Sequence, residues 1–195
     1  MMRTASISRK TKETEINLSL NLDGSGKAKI KSPLNFLNHM LETLAKHSLF
    51  DLEINAKGDI AVEDHHLVED TAICLGIALD KALGDKRGIT RLGDALVPME
   101  DSISVVAVDL SGRGYAIVKI EFSEFQNCKI GDVKKENIIH FLESFALNGK
   151  FNLYVKSKGR NDHHKVESCF KALGKALREA TTLISKDIPS VKGVL

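Results

Sequence analysis

Seven histidines stand in this 195-residue chain, and six of them fall into two matching sets. His65-His66-x-x-Glu69 and His163-His164-x-x-Glu167 repeat one pattern, while His39 and His140 each open a second, His-x-Leu-Glu-x-x-Ala. Imidazole nitrogens and carboxylate oxygens are ligands for transition-metal ions. On a helix, positions i and i+4 share a face, so His65 with Glu69 could chelate one ion and His163 with Glu167 another. The second histidine of each pair is turned about 100° around the helix, too far to join its neighbour's chelate. If the two halves face each other, His66 can reach the ion held by His163 and Glu167, and His164 the ion held by His65 and Glu69. His39 and His140 lie off the apolar stripes of their own segments, and one would add a fourth ligand to each ion. Sites of three imidazoles and one carboxylate, with positions left open, suit Mn²⁺, Fe²⁺ or Zn²⁺ better than Mg²⁺ or Ca²⁺. A lone histidine at a helix start is usually just hydrogen-bonded at the surface, and closed structural sites favour cysteine. Two equivalent sets without cysteine fit neither description.

These residues need elements to hold them. Residues 15–22 alternate apolar and polar with period two, the signature of a half-buried strand. Asp23-Gly24-Ser25-Gly26 reads as a hairpin turn returning into a short strand at 27–31. Pro33 opens a helix to about residue 48, a strand follows at 50–57, and Asp64 is a plausible N-cap for a helix ending near Leu83 at Gly84. The second half repeats the plan. An apolar strand at 102–110, a turn at 111–114 and a return strand at 115–122 lead through a loop containing Asn127, Gly131 and Asp132. A helix at about 135–147, a strand at 151–157 and a helix from Asp162 to about residue 185 complete it. His39 to Ala45 matches His140 to Ala146 at an offset of 101, and Asp64-His65-His66 matches Asp162-His163-His164 at an offset of 98. The reading is therefore one α/β domain, of α+β type, spanning 1–195. It is duplicated as strand–strand–helix–strand–helix halves of about 9–85 and 95–186. The link around 86–99 and the tail 187–195 lie outside the matched stretches.

Composition narrows the function. Lys plus Arg is 28 and Asp plus Glu is 26, a formal charge of +2, so nucleic acid and anionic membrane are poor candidates for the main partner. No apolar run is long enough for a membrane span, and no signal-peptide core is visible near the start. Three cysteines without CxxC spacing (Cys74, Cys128 and Cys169) point to reduced, mostly buried thiols and a cytoplasmic setting. Among other polar residues, Glu13 could act as a general base or be a solvated charge. Arg91, Arg113, Lys171 and Lys192 could hold a phosphate or be ordinary surface cations.

The chain resembles the imidazoleglycerol-phosphate dehydratase family of histidine biosynthesis. The likeness lies in RKTKETEI at 9–16, FLNHML at 36–41, DHHLVEDT at 64–71, LGDKRGITR at 83–91, VDLSGR at 108–113, NDHH at 161–164 and PSVKG at 189–193. It covers nearly the whole chain, in the form without a phosphatase domain. It implies a duplicated fold of the ribosomal-protein-S5 domain 2-like type and two Mn²⁺ ions per active site. It also implies a homo-oligomeric 24-mer built from trimers, with active sites between subunits. By motif, one ion would take His39, His66, His163 and Glu167, and the other His65, Glu69, His140 and His164. Substrate contacts would fall on Glu13, His47, Arg91, Arg113, Lys171, Ser190 and Lys192, with Glu13, His65, His66, Glu69, His163 and His164 at the chemistry. The chain departs from the family pattern at Asn38, Ser48, Leu67, Gly114 and Val191, and none of these is a proposed ligand.

The reaction so implied is a metal-dependent dehydration of a small phosphorylated imidazole, D-erythro-imidazole glycerol phosphate, to imidazole acetol phosphate. The alternative from another reaction class is a di-metal hydrolase of a small phosphorylated substrate, attacking with metal-bound hydroxide. A protein in which ions only cement subunits is the non-enzymatic alternative.

Overall fold

The computed structural model describes residues 3–123, 128–193 and 195, so Asn127 of the loop reading and Val194 of the tail lie outside the described residues. The first half runs β1 (Thr4–Lys10), β2 (Thr14–Asn21), β3 (Ala28–Lys31), α1 (Asn35–Ser48), β4 (Asp51–Gly58) and α2 (His65–Leu83). The second runs β5 (Leu92–Met99), β6 (Ser102–Asp109), β7 (Tyr115–Ile120), a small hairpin β8 (Lys129–Ile130) with β9 (Val133–Lys134), α3 (Lys135–Asn148), β10 (Asn152–Lys158) and α4 (Asp162–Thr181).

The two sheets have one topology. Their orders are β1-β2-β4-β3 and β5-β6-β10-β7, antiparallel except for the last pair of each, which is parallel. The register gives the duplication residue by residue. Ile7 pairs with Leu18 and Ala95 with Val106; Ile30 pairs with Ile54 and Val118 with Val155. The first three strands of each half thus correspond at an offset of 88. The jump to 101 at the following helix is the 13-residue insertion that carries β8 and β9.

Three details differ from the sequence reading. Each half has one further strand, β1 or β5, so residues 92–99 belong to the repeat. The alternation in these edge strands is weak in sequence because the inner face of β1 is only half-buried and the buried positions of β5 are Gly93 and Ala95. The turns at 23–26 and 111–114 do not close hairpins either: β4 lies between β2 and β3, and β10 between β6 and β7. A strand from beyond the helix thus takes the place next to β2, leaving β3 to pair in parallel. α4 also stops at Thr181, where Thr182 O instead accepts from Thr90 N–H and Ile184 N–H donates to Gly88 O.

Alternating burial in β2, β4, β6 and β10 leaves one face of each sheet exposed and packs helices on the other. α2 lies against β1 and β2, and α4 against β5 and β6. Across the halves, α2 packs on α3 and α1 on α4. The repeat-equivalent glycines Gly76 and Gly174 mark these crossings. A Cβ at Gly76 would stand 2.7 Å from Gly149 N, and one at Gly174 would stand 2.9 Å from Leu44 O, so any larger residue pushes the helices apart. Phe141, Phe145, Phe151 and Phe170 fill the shared core, with centroids 5.7 Å apart for Phe141–Phe170 and 5.0 Å for Phe145–Phe151. Cys74 and Cys169 are buried, and burial pushes their thiols up to about 11 and about 12, whereas Cys128 is exposed.

Candidate metal centre

The helix pairing brings six of the eight expected ligands into two clusters. α1 contributes His39, and the first turns of α4 contribute His163 and Glu167; α2 contributes His65 and Glu69, and α3 His140. Within each trio the ligand atoms all lie within 4.8 Å of one another. In the first, Glu167 Oε2 is 3.1 Å from His163 Nε2 and 3.6 Å from His39 Nε2. In the second, Glu69 lies 3.0 Å from His140 Nε2 and 3.7 Å from His65 Nε2, and the two imidazoles stack with centroids 4.8 Å apart.

The donor sets fit a transition-metal ion. His140 Nε2 is buried and, despite its 3.0 Å approach to Glu69, makes no aligned hydrogen bond. An imidazole nitrogen left without a partner beside a carboxylate and a second imidazole is what an ion would satisfy. Glu167 is also held for the purpose: burial raises its carboxyl, but Lys171, His163 and His39 together pull it below the usual carboxylate range.

His66 and His164 do not join either cluster in one chain. α2 faces α3 and α4 faces α1, so the two helices that carry the histidine pairs do not oppose each other, and the crossed contact expected from spacing is absent within the chain. His66 Nδ1 sits 3.2 Å from both Asp59 oxygens and 3.9 Å from Glu13 Oε2. The Asp59 hydrogen bond raises the His66 pKa, with Glu13 adding to it. His164 Nδ1 sits 3.0 Å from Asp101 Oδ1, and its Nε2 is 3.8 Å from Glu100 Oε2. That contact, with Ser102 and Asn161, holds the Asp101 carboxyl below its ordinary range.

The other expected site residues fall in separate places. Lys171 joins the first cluster, its Nζ 2.9 Å from Glu167 Oε1. His47, in the last turn of α1, has its pKa lowered by burial and by Lys171 and Lys175. Arg91 donates to both oxygens of Asp109, at 2.7 and 3.1 Å, and to Pro189 O at 2.9 Å, so it ties the tail to the second sheet. Gly88 N–H donates to Asp187 O beside it. Arg113 and Lys192 are exposed and Ser190 half-exposed, and among the described residues no hydrogen bond or ion pair links them or Arg91 to either cluster.

Sequence reasoning missed Asp59, Asp101 and Asn137, which hold the outer nitrogens of His66, His164 and His65. Asp101 had a signal: at the offset of 88 it is the counterpart of Glu13. Asp59 and Asn137 had none, being ordinary polar residues brought in by the tertiary fold.

The fold and site define a duplicated α/β protein with two equivalent histidine–carboxylate clusters at its helix N-termini. A family model, imidazoleglycerol-phosphate dehydratase, matches residues 32–177. The dehydratase of Methanothermobacter thermautotrophicus is 50% identical over 194 residues, covering 100% of this chain and 98% of its own length. That of Methanococcoides burtonii is 48% identical, covering 100% of both. Crystal structures of the dehydratases from Pyrococcus furiosus and Staphylococcus aureus superpose with TM-scores of 0.83 and 0.82, at 36% and 31% identity. They cover 97% and 92% of this chain, and 100% and 99% of their own. The chain belongs to the imidazoleglycerol-phosphate dehydratase family, hydro-lyases of histidine biosynthesis.

Proposed function

We propose that the chain converts D-erythro-imidazole glycerol phosphate to imidazole acetol phosphate by loss of water, using two divalent ions, Mn²⁺ by preference. The observation that carries the metal requirement is the pair of three-ligand clusters with the orphaned His140 Nε2. When bound, the ions would polarise the substrate's imidazole ring and so favour departure of the hydroxyl next to it. His39, His163 and Glu167 would hold one ion and His65, Glu69 and His140 the other, with His66 and His164 supplied by neighbouring copies.

The proton to be removed lies on a carbon with no adjacent carbonyl, so a positioned base has to take it. Glu13 suits that role. It is exposed to solvent, and its Oε2 lies 3.9 Å from His66 Nδ1. Arg91, Arg113, Ser190 and Lys192 would receive the phosphate, and Lys171 and His47 the glycerol hydroxyls near the first cluster. Loss of the hydroxyl and the neighbouring proton leaves an enol, which becomes the ketone of the product.

Completion of each cluster by another copy makes assembly part of the site. Supporting this, the outer face of the second sheet exposes Leu92, Leu96, Tyr115 and Ile117, with Val105 and Tyr154 between them. The matching face of the first sheet carries Ser6, Ser8, Asn17, Ser19, Glu53 and Asn55. An apolar face on one sheet only is what a homo-oligomer would cover. No helix among the described residues is long and apolar enough to cross a membrane.

The test is turnover of imidazole glycerol phosphate by the Mn²⁺-loaded protein, followed by NMR with inorganic phosphate assayed in parallel. Imidazole acetol phosphate formed without phosphate release is expected. Phosphate release without the ketone would establish the hydrolase instead.

A further inference from the structure

The two clusters correspond by the repeat, yet their surroundings are unequal. His65 and His163 are counterparts, and so are position 36 of α1 and position 137 of α3, at the offset of 101. Position 36 is Phe and position 137 is Asn. The Phe36 ring meets His163 edge-on with centroids 5.4 Å apart, so it offers that imidazole no hydrogen bond. Asn137 is 2% exposed, and its Oδ1 lies 3.0 Å from His65 Nδ1.

The orientation of Asn137 follows from its other partner. Asp64 Oδ2 accepts Lys134 N–H at 2.7 Å and stands 2.9 Å from Asn137 Nδ2. A carboxylate only accepts, so the Asn137 amino group faces Asp64 and its oxygen faces His65. That oxygen can only accept as well, so the neutral His65 ring carries its proton on Nδ1 and its lone pair on Nε2, the atom that faces Glu69 and His140. In the other cluster His163 Nε2 is directed at Glu167 Oε2 at 3.1 Å, and no described residue holds its Nδ1. Glu167 is bound to Lys171 as well, a cation that an entering ion must compete with.

We propose that Asn137, held by Asp64, is a positioning residue that fixes the metal-binding tautomer of His65 and makes the His65–Glu69–His140 cluster the tighter of two unequal metal sites. This rests on the reading of both clusters as ion sites. The Phe36/Asn137 exchange breaks the pseudo-symmetry where it sets imidazole orientation. Loss of such an outer hydrogen bond costs about 10–100-fold in metal affinity.

The experiment measures Mn²⁺ bound per chain against buffered free Mn²⁺ for the intact protein and for Asn137→Ala and Asn137→Asp. The wild type should fill in two separated steps. Asn137→Ala should weaken the tighter step about 10–100-fold and leave the weaker one in place. Asn137→Asp restores an acceptor for His65 while setting two carboxylates together, so it should melt below Asn137→Ala yet bind Mn²⁺ more tightly than it. A merely structural role predicts the reverse order, with affinity following melting temperature, and that result overturns the proposal. So does an unchanged tighter step in Asn137→Ala. Histidine ¹⁵N spectra of the metal-free wild type, recorded at a pH where the ring is neutral, give a check that needs no variant: the single proton of His65 should sit on Nδ1, and a neutral ring protonated on Nε2 instead refutes the assignment. A wild type that binds no Mn²⁺ refutes instead the reading of the clusters as ion sites.

Discussion

Replacing Asp162 with alanine should be among the costliest single changes in the molecule. Asp162 opens α4, directly before His163 and His164, and its side chain is 4% exposed. Lys135 Nζ lies 2.7 Å from Oδ2 and Lys165 Nζ 2.7 Å from Oδ1, while Ser123 N–H donates to both oxygens at 3.1 and 3.3 Å. Lys165 is itself 2% exposed. The variant therefore leaves two buried ammonium groups without their carboxylate. Removing one partner of a buried pair costs about 3–5 kcal/mol. In a chain of this size each kcal/mol lowers Tm by about 2–4 °C, so the expected loss is about 6–20 °C. Lys165→Met should cost less, because Lys135 still neutralises Asp162. The pH dependence has a definite sign. Burial raises the Asp162 carboxyl, but Lys135, Lys165 and the Ser123 N–H outweigh it and its folded pKa is lowered. Its contribution is then full above the unfolded value of about 3.9 and is lost as pH falls through the lower folded value. Thermal melts followed by circular dichroism, in EDTA at fixed protein concentration, would show the gap between wild type and Asp162→Ala. It should be full at pH 7 and shrink below about pH 4. A variant melting within about 2 °C of wild type at pH 7, or a gap undiminished in acid, would refute the reasoning.

Leu96→Glu places a charge on the exposed face of the second sheet, where Leu96 is 61% exposed. It should yield a smaller species by size-exclusion chromatography with little change in secondary structure; an unchanged particle would show that this face is not covered. If each cluster is completed across a boundary, as proposed, chelation by EDTA should abolish turnover and also shrink the particle. Bound Mn²⁺ should fall as pH drops below about 6.5, where free imidazoles take up protons, and equal metal content at pH 5 would exclude histidine ligation. Arg91→Ala removes both the Asp109 pair and the bond to Pro189 O, and Lys192→Ala removes one exposed cation. Lys192→Ala should mainly raise KM, while Arg91→Ala should raise KM further and free the tail to proteolysis, with metal content unchanged in both.

The histidine patterns were legible because they are local. The i, i+4 spacing that joins His163 to Glu167, and His65 to Glu69, is a property of one helix, and the duplication repeats it at a constant offset. Helix positions were legible for the same reason, through the apolar stripe of α1 and the glycine that closes α2. Strand partnership was not. Nothing in residues 14–31 says that β4, from beyond α1, will separate β2 from β3, because that pairing is decided by burying one face of each sheet against the helices. The same packing decided the site. A helix presents all its faces in sequence, and it is packing between distant segments, closest at Gly76 and Gly174, that sets α2 against α3 and α4 against α1. Those contacts put His140 beside Glu69 and His39 beside Glu167, turned His66 and His164 away towards Asp59 and Asp101, and brought Asn137 to His65. Spacing along a chain sets which side chains share a helix face, whereas the partner of that face depends on close packing between segments far apart in sequence.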